Sequence, residues 1–218
     1  MHLGNIENSY MEKQYRNIGF IFLLFIPLTF FGFYKTYFVL APEYAGTIDI
    51  FTHIHAFTAS LWIALLITQP LLIRSGNYKL HRILGKVSYF VFVTIILSFI
   101  PQMIKEFGKG SFPLNASFDV VLLILFYTLA IANKKNVSIH MRYMIAISLI
   151  FIGPTLGRII YITLDIGYLS FLKLPYVLVN VILVGLIFCD KASNRKYQPY
   201  LVALGSFMIY LSALYLLK

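Results

Sequence analysis

A chain of 218 residues that is 60% hydrophobic and only 12% charged, with a mean hydropathy of +0.81, is not an ordinary water-soluble domain. The net charge of +10 invites a nucleic-acid reading, but most Lys and Arg residues sit in short connections between apolar runs; the charge is a topology signal and nucleic acid is excluded as a partner. One cysteine, Cys189, rules out an intramolecular disulfide and any multi-cysteine metal site, and at the end of an apolar run it reads as a small buried hydrophobe.

In chain order, a polar head with Lys13 and Arg16 precedes a first apolar run over residues 18–40. That run is longer than the apolar region of a signal peptide and no small-x-small cleavage site ends it, so it reads as an uncleaved helix. Further runs follow at 50–73, 83–103, 114–132, 141–163, 168–188 and 198–217, each long enough to cross a bilayer. The expected fold is all-α: a polytopic membrane helical bundle of about seven transmembrane helices, forming a single integral membrane domain over 1–218 with the lipid bilayer as its partner. Span 168–188 is the weakest; a re-entrant course there would invert the last two connections.

Orientation follows from the basic residues. With the N-terminus inside, the inner connections hold twelve of the 18: Lys13, Arg16, Arg74, Lys79, Arg82, Lys86, Lys134, Lys135, Arg142, Lys191, Arg195 and Lys196. Five lie outside and Arg158 lies within a span. The excess selects a cytoplasmic N-terminus and, with seven spans, an outer C-terminus. Tyrosines near span ends, such as Tyr34, Tyr37, Tyr143 and Tyr161, fit an interfacial aromatic belt. The segment Gly153-Pro154-Thr155-Leu156-Gly157 reads as a packing device: two small residues on one helix face, with a proline that frees a backbone carbonyl.

Titratable groups beside hydrocarbon are costly and mark sites by default. His81 opens span three and His140 opens span five, both at the inner face; two histidines at one depth are the minimum for bis-imidazole haem ligation. Either also suits a metal site with further ligands, and either could simply meet lipid headgroups. His53 and His55, at the outer end of span two, point about 200° apart on a helix. His55 is the deeper, Gln69 returns to nearly the same face, and Asp119 and Asn115 in span four lie at similar depth. His55 with Asp119 is therefore the candidate metal pair. Arg158, eighteen residues after His140 and on the same face, needs a partner, for which Asp165, Asp119 or an anionic ligand would serve. No nucleotide-binding glycine loop, H-E-x-x-H or Ser-His-Asp set is present.

The stretch His55…Gln69-Pro70…Arg74…Leu80-His81-Arg82-Ile83-Leu84-Gly85, followed by His140-Met141-Arg142-Tyr143-Met144…Arg158, resembles a prokaryotic integral-membrane family known only as a domain of unknown function. Its members look like H…Q…R…LHRxxG and then HxxWMxR…R; Tyr143 stands where a Trp is usual. The resemblance covers about residues 50–165 and implies a small multi-helix membrane protein with no established activity. A looser likeness is to the transmembrane diheme cytochromes b. Those carry two His pairs on four successive helices, and span four here has no histidine to partner His55, so only the inner His81/His140 pair carries over.

These readings converge on a bacterial cytoplasmic membrane protein with a histidine-liganded haem b or metal ion, used in electron transfer or cofactor handling. His81 and His140 would be axial ligands, Arg82 and Arg142 would meet propionates, and a redox or membrane-protein partner would follow. The alternative is a non-enzymatic transporter or assembly factor whose histidines and Arg158 form a polar pathway.

Overall fold

The computed structural model describes residues 12–44, 48–163 and 168–216, the side chains of 162, 163 and 168–172 excepted. The helices are α1 (Ile18–Phe22), α2 (Phe25–Phe33), α3 (Ile50–Arg74), α4 (Tyr78–Gly108), α5 (Leu114–Ala132), α6 (Val137–Ile150), α7 (Ile152–Arg158), α8 (Tyr168–Ala192) and α9 (Gln198–Leu216). Among the described residues there is no strand, and seven helical segments are long and apolar enough to cross a membrane. The chain is an all-α, multi-pass membrane protein. Phe57, Phe90 and Phe188 are each more than 60% exposed. Such side chains have no place against water in such numbers and are the lipid-facing surface.

Local chemistry sets the boundaries. Asp49, Asn77 and Asn136 cap α3, α4 and α6: their side chains accept from the backbone N–H groups of Thr52 (3.0 Å), Leu80 (3.2 Å) and Ile139 (3.3 Å). Gly76, at φ +74°, reverses the chain after α3 in a conformation that L side chains rarely adopt. Because Asn77 and Asn136 are the caps, α4 starts at Tyr78 and α6 at Val137, several residues before the apolar runs do. His81 and His140 therefore sit in the first turn or two of their helices rather than ahead of them. At the other end, the first span stops at Phe33, short of residue 40.

Two compact units can be distinguished. The first comprises the described residues up to Pro27 and those of Val39–Val120. Here α3 and α4 form an antiparallel hairpin, with α1 against α3. Its core holds Trp62, Leu66 and Ile95. The second comprises Leu28–Phe38 and the described residues from Val121 onward. Here α8 packs against α9 and α7, α6 packs against α9, and Phe126 of α5 meets Phe207 of α9 at 5.9 Å between ring centroids.

Span five is the axis of the second unit: 67% of its most apolar stretch is buried, against 33% or less for each other span. It is not one straight helix. Pro154 cannot donate to the carbonyl four residues back, and the chain makes a turn at Phe151 between α6 and α7 before ending in a π-helical turn, Ile159–Thr163. Gly153 is required by close approach, because a Cβ there would lie 2.5 Å from the Tyr176 hydroxyl oxygen. Cys189 corrects an expectation: it is exposed, not buried. The adjacent Asp190 turns inward, and neighbouring helical positions diverge by about 100°.

Candidate functional site

The first unit carries His53, His55, His81, Gln69 and Asp119. His55 Nδ1 lies 2.9 Å from Ser98 Oγ, and the Ser98 hydroxyl spends its one proton on the Ile95 carbonyl at 2.6 Å. The serine oxygen therefore accepts, His55 donates from Nδ1, and its Nε2 keeps the lone pair. Thr58 donates to the carbonyls of Ile54 (2.9 Å) and His55 (3.1 Å), and the His55 ring stands edge-on to Phe99 at 4.7 Å. His53 points elsewhere and meets Tyr44 at 4.8 Å, as the two-residue spacing requires. Asp119 is buried, but among the described residues no three His, Cys, Asp or Glu side chains come close enough to share a metal ion. Neither His55 nor Asp119 therefore belongs to such a group.

Gln69 and His81 form the second feature of that unit. The Gln69 amide nitrogen donates to the His81 carbonyl (3.2 Å) and to His81 Nδ1, while its oxygen accepts from the Gly85 N–H (2.9 Å). The amide thus brackets one rung of the α4 ladder from α3. Two residues of the L-H-R-x-x-G stretch, His81 and Gly85, and the upstream Gln69 acquire a shared structural purpose: they tie the hairpin. Since Nδ1 accepts, the ring proton of His81 is on Nε2, and the histidine presents a donor rather than a lone pair. Arg82 is exposed.

The second unit carries His140, Arg142 and Arg158. His140 Nδ1 lies 2.8 Å from the Ala130 carbonyl, which can only accept. That carbonyl belongs to the last turn of α5, where helix carbonyls lack intrahelical partners. His140 thereby caps α5, is fixed with its proton on Nδ1, and leaves the Nε2 lone pair for a ligand. A backbone carbonyl on the distal ring nitrogen is the usual support of a metal-bound histidine.

Arg142 is fully buried. Its Nε donates to Asp190 Oδ2 at 2.7 Å, Nη1 donates to the Ser138 carbonyl at 2.9 Å, and the guanidinium lies 5.9 Å from the centre of the Tyr200 ring. Asp190 is equally buried. The Arg142 guanidinium, considered above for a propionate, is thus engaged within the protein. Sequence reasoning missed Asp190 because span six was ended at residue 188, whereas α8 continues to Ala192 and takes the carboxylate inside. The available signal was an acidic residue within one turn of the end of an apolar run. Arg158 donates from Nη1 to the Pro154 carbonyl (2.7 Å) and stacks over Phe33 at 4.3 Å. Its suggested partner Asp165 lies outside the described residues.

Outside the spans, Asp49 accepts from Lys105, whose Nζ also donates to Thr52 Oγ1 at 2.9 Å. The hydrogen bond from the Lys105 ammonium holds the Asp49 carboxyl at about 2, below its ordinary 3.8; partial desolvation opposes this and the Thr52 N–H adds to it.

No family model matches the chain, and no curated protein and no solved structure matches it.

Proposed function

We propose that the chain is a haem-binding membrane protein of electron transfer or cofactor handling, with His140 Nε2 as the protein's axial ligand. The observation that carries this reading is the His140 Nδ1–Ala130 carbonyl bond, which sets the ring in the ligating tautomer. A bare metal ion wants three or four protein ligands, whereas a porphyrin brings four nitrogens and asks one imidazole of the protein. A single well-presented imidazole therefore suits haem better than a protein-built metal cage. His81, held by Gln69 with its proton on Nε2, is assigned to the hairpin in this reading, which departs from a bis-imidazole pair. The positive-inside rule places the N-terminus, and with it the His140 end of span five, at the cytoplasmic face of a bacterial membrane.

The test is haem content after purification in mild detergent. Wild type should retain about one haem per chain, as should His81→Ala and His55→Ala; His140→Ala should lose it while still migrating as folded protein. Wild type without haem ends the proposal.

A second reading, a non-enzymatic transporter or assembly factor with a polar pathway, draws on the buried Arg142–Asp190 pair, because charges inside membranes tend to line such paths. It predicts a colourless protein in which Asp190→Leu abolishes function and His140→Ala barely changes it.

A further inference from the structure

The outer face of α8 carries Val177, Asn180, Val181 and Val184, spaced i, i+3, i+4 and i+7, and with Leu204 and Met208 of α9 these line one apolar groove of about 500 Å³. Val181 is 62% exposed and Met208 49%, so the groove opens toward the lipid. One side chain does not belong in such a place. Asn180 is 93% buried by its neighbours; one amide N–H bonds the Tyr176 carbonyl at 2.8 Å, and Oδ1 has no hydrogen-bond partner among the described residues. A buried acceptor without a donor is costly in any apolar medium, and lipid tails supply none.

We infer that this groove is a homodimer interface in which Asn180 of one copy pairs with Asn180 of the other. The amide has one acceptor oxygen and one N–H left over, and because Oδ1 is covered in the single copy each side chain must turn outward into the groove to present them. About a two-fold axis along the membrane normal, residues of equal depth meet, so the leftover groups satisfy each other reciprocally after that rotation of each side chain. The flanking stripe is what such a seam needs: valines at helical spacing and a single polar residue to fix register. Gly185, on α8, adds open space, since a Cβ there would meet nothing within 4 Å. An acyl chain would fill the groove and leave Oδ1 unpaired; a second copy fills it and supplies the donor.

The experiment uses the full chain in phosphatidylethanolamine–phosphatidylglycerol vesicles. Donor- and acceptor-labelled copies are mixed over a range of protein-to-lipid ratios, and energy transfer gives the dimer fraction. Wild type should dimerise. Asn180→Leu should weaken association about three- to thirtyfold, the range for interhelical polar bonds in membranes. Because the variant removes an unsatisfied buried group, it should fold as well as wild type. Val181→Trp, which fills the groove, should abolish the dimer. In a Cys189→Ser background, Val181→Cys should cross-link under mild oxidation and Val121→Cys, on α5, should not. The inference is overturned by monomers at every ratio, by Asn180→Leu dimerising like wild type, or by equal cross-linking at 121. It is equally overturned by a monomer retaining a hydroxyl-bearing lipid that Asn180→Leu loses.

Discussion

Replacing Asp190 with Leu leaves the Arg142 guanidinium charged, fully buried and without its carboxylate, while keeping side-chain volume nearly constant. Both partners have no exposed side-chain surface, so solvent cannot screen the loss. Breaking a buried pair from one side costs about 3–5 kcal/mol, and the bonds to Ser138 offset little of that because they are already present in wild type. Arg142→Met, which strands the carboxylate, should cost a similar amount. The double replacement removes both charges and should be near neutral, so the coupling energy in the cycle, the sum of the two single losses, comes out at about 6 kcal/mol or more. The assay is reversible unfolding in mixed micelles by steric trapping or denaturing detergent, with all four proteins compared under one condition. A single-variant loss below about 1 kcal/mol, or a double variant as unstable as the two singles added, would refute the account of a closed, mutually dependent pair.

Three further outcomes follow from the packing. Gly153→Ala should destabilise by about 1–3 kcal/mol because its methyl meets the Tyr176 hydroxyl. In a Tyr176→Ala background, which removes the ring carbons at 2.7 and 3.0 Å as well as the oxygen, the same Gly153→Ala change should cost little in a thermal unfolding assay. Gln69→Leu should cost about 1–2 kcal/mol by removing the amide that ties α3 to α4, and should speed hydrogen exchange at Gly85. Asp49 ionises more readily in the folded protein than in the unfolded chain, so the stability it contributes is present above pH 3.8 and is lost as pH falls toward 2. Asp49→Asn should accordingly remove part of the wild-type decline in midpoint temperature between pH 4 and 2, and identical curves would contradict the Lys105 interaction.

The helical bundle was legible because bilayer thickness imposes a length on every apolar run, and no tertiary knowledge is needed to count them. Boundaries were less so: the runs ended where hydrophobicity ended, whereas the helices begin at Asn77 and Asn136, whose capping roles extend them into polar sequence. The extension at Ala192 had the larger consequence, because it moved Asp190 from a presumed loop into the interior. Histidines could be nominated from sequence, since depth is readable, but their chemistry could not. Which nitrogen carries the proton depends on Gln69 for His81 and on the Ala130 carbonyl for His140, contacts that only the folded chain creates. Asn180 escaped notice for a related reason: an amide in an apolar span looks ordinary until its oxygen is found without a donor.

The most direct measurement is the visible spectrum of the purified, dithionite-reduced protein before and after carbon monoxide. One protein imidazole on the iron leaves the opposite position for carbon monoxide, so the account predicts a haem Soret band that shifts on addition and is absent from His140→Ala. A reduced haem spectrum unmoved by carbon monoxide would contradict single-imidazole ligation, and no haem band at all would contradict the proposal itself.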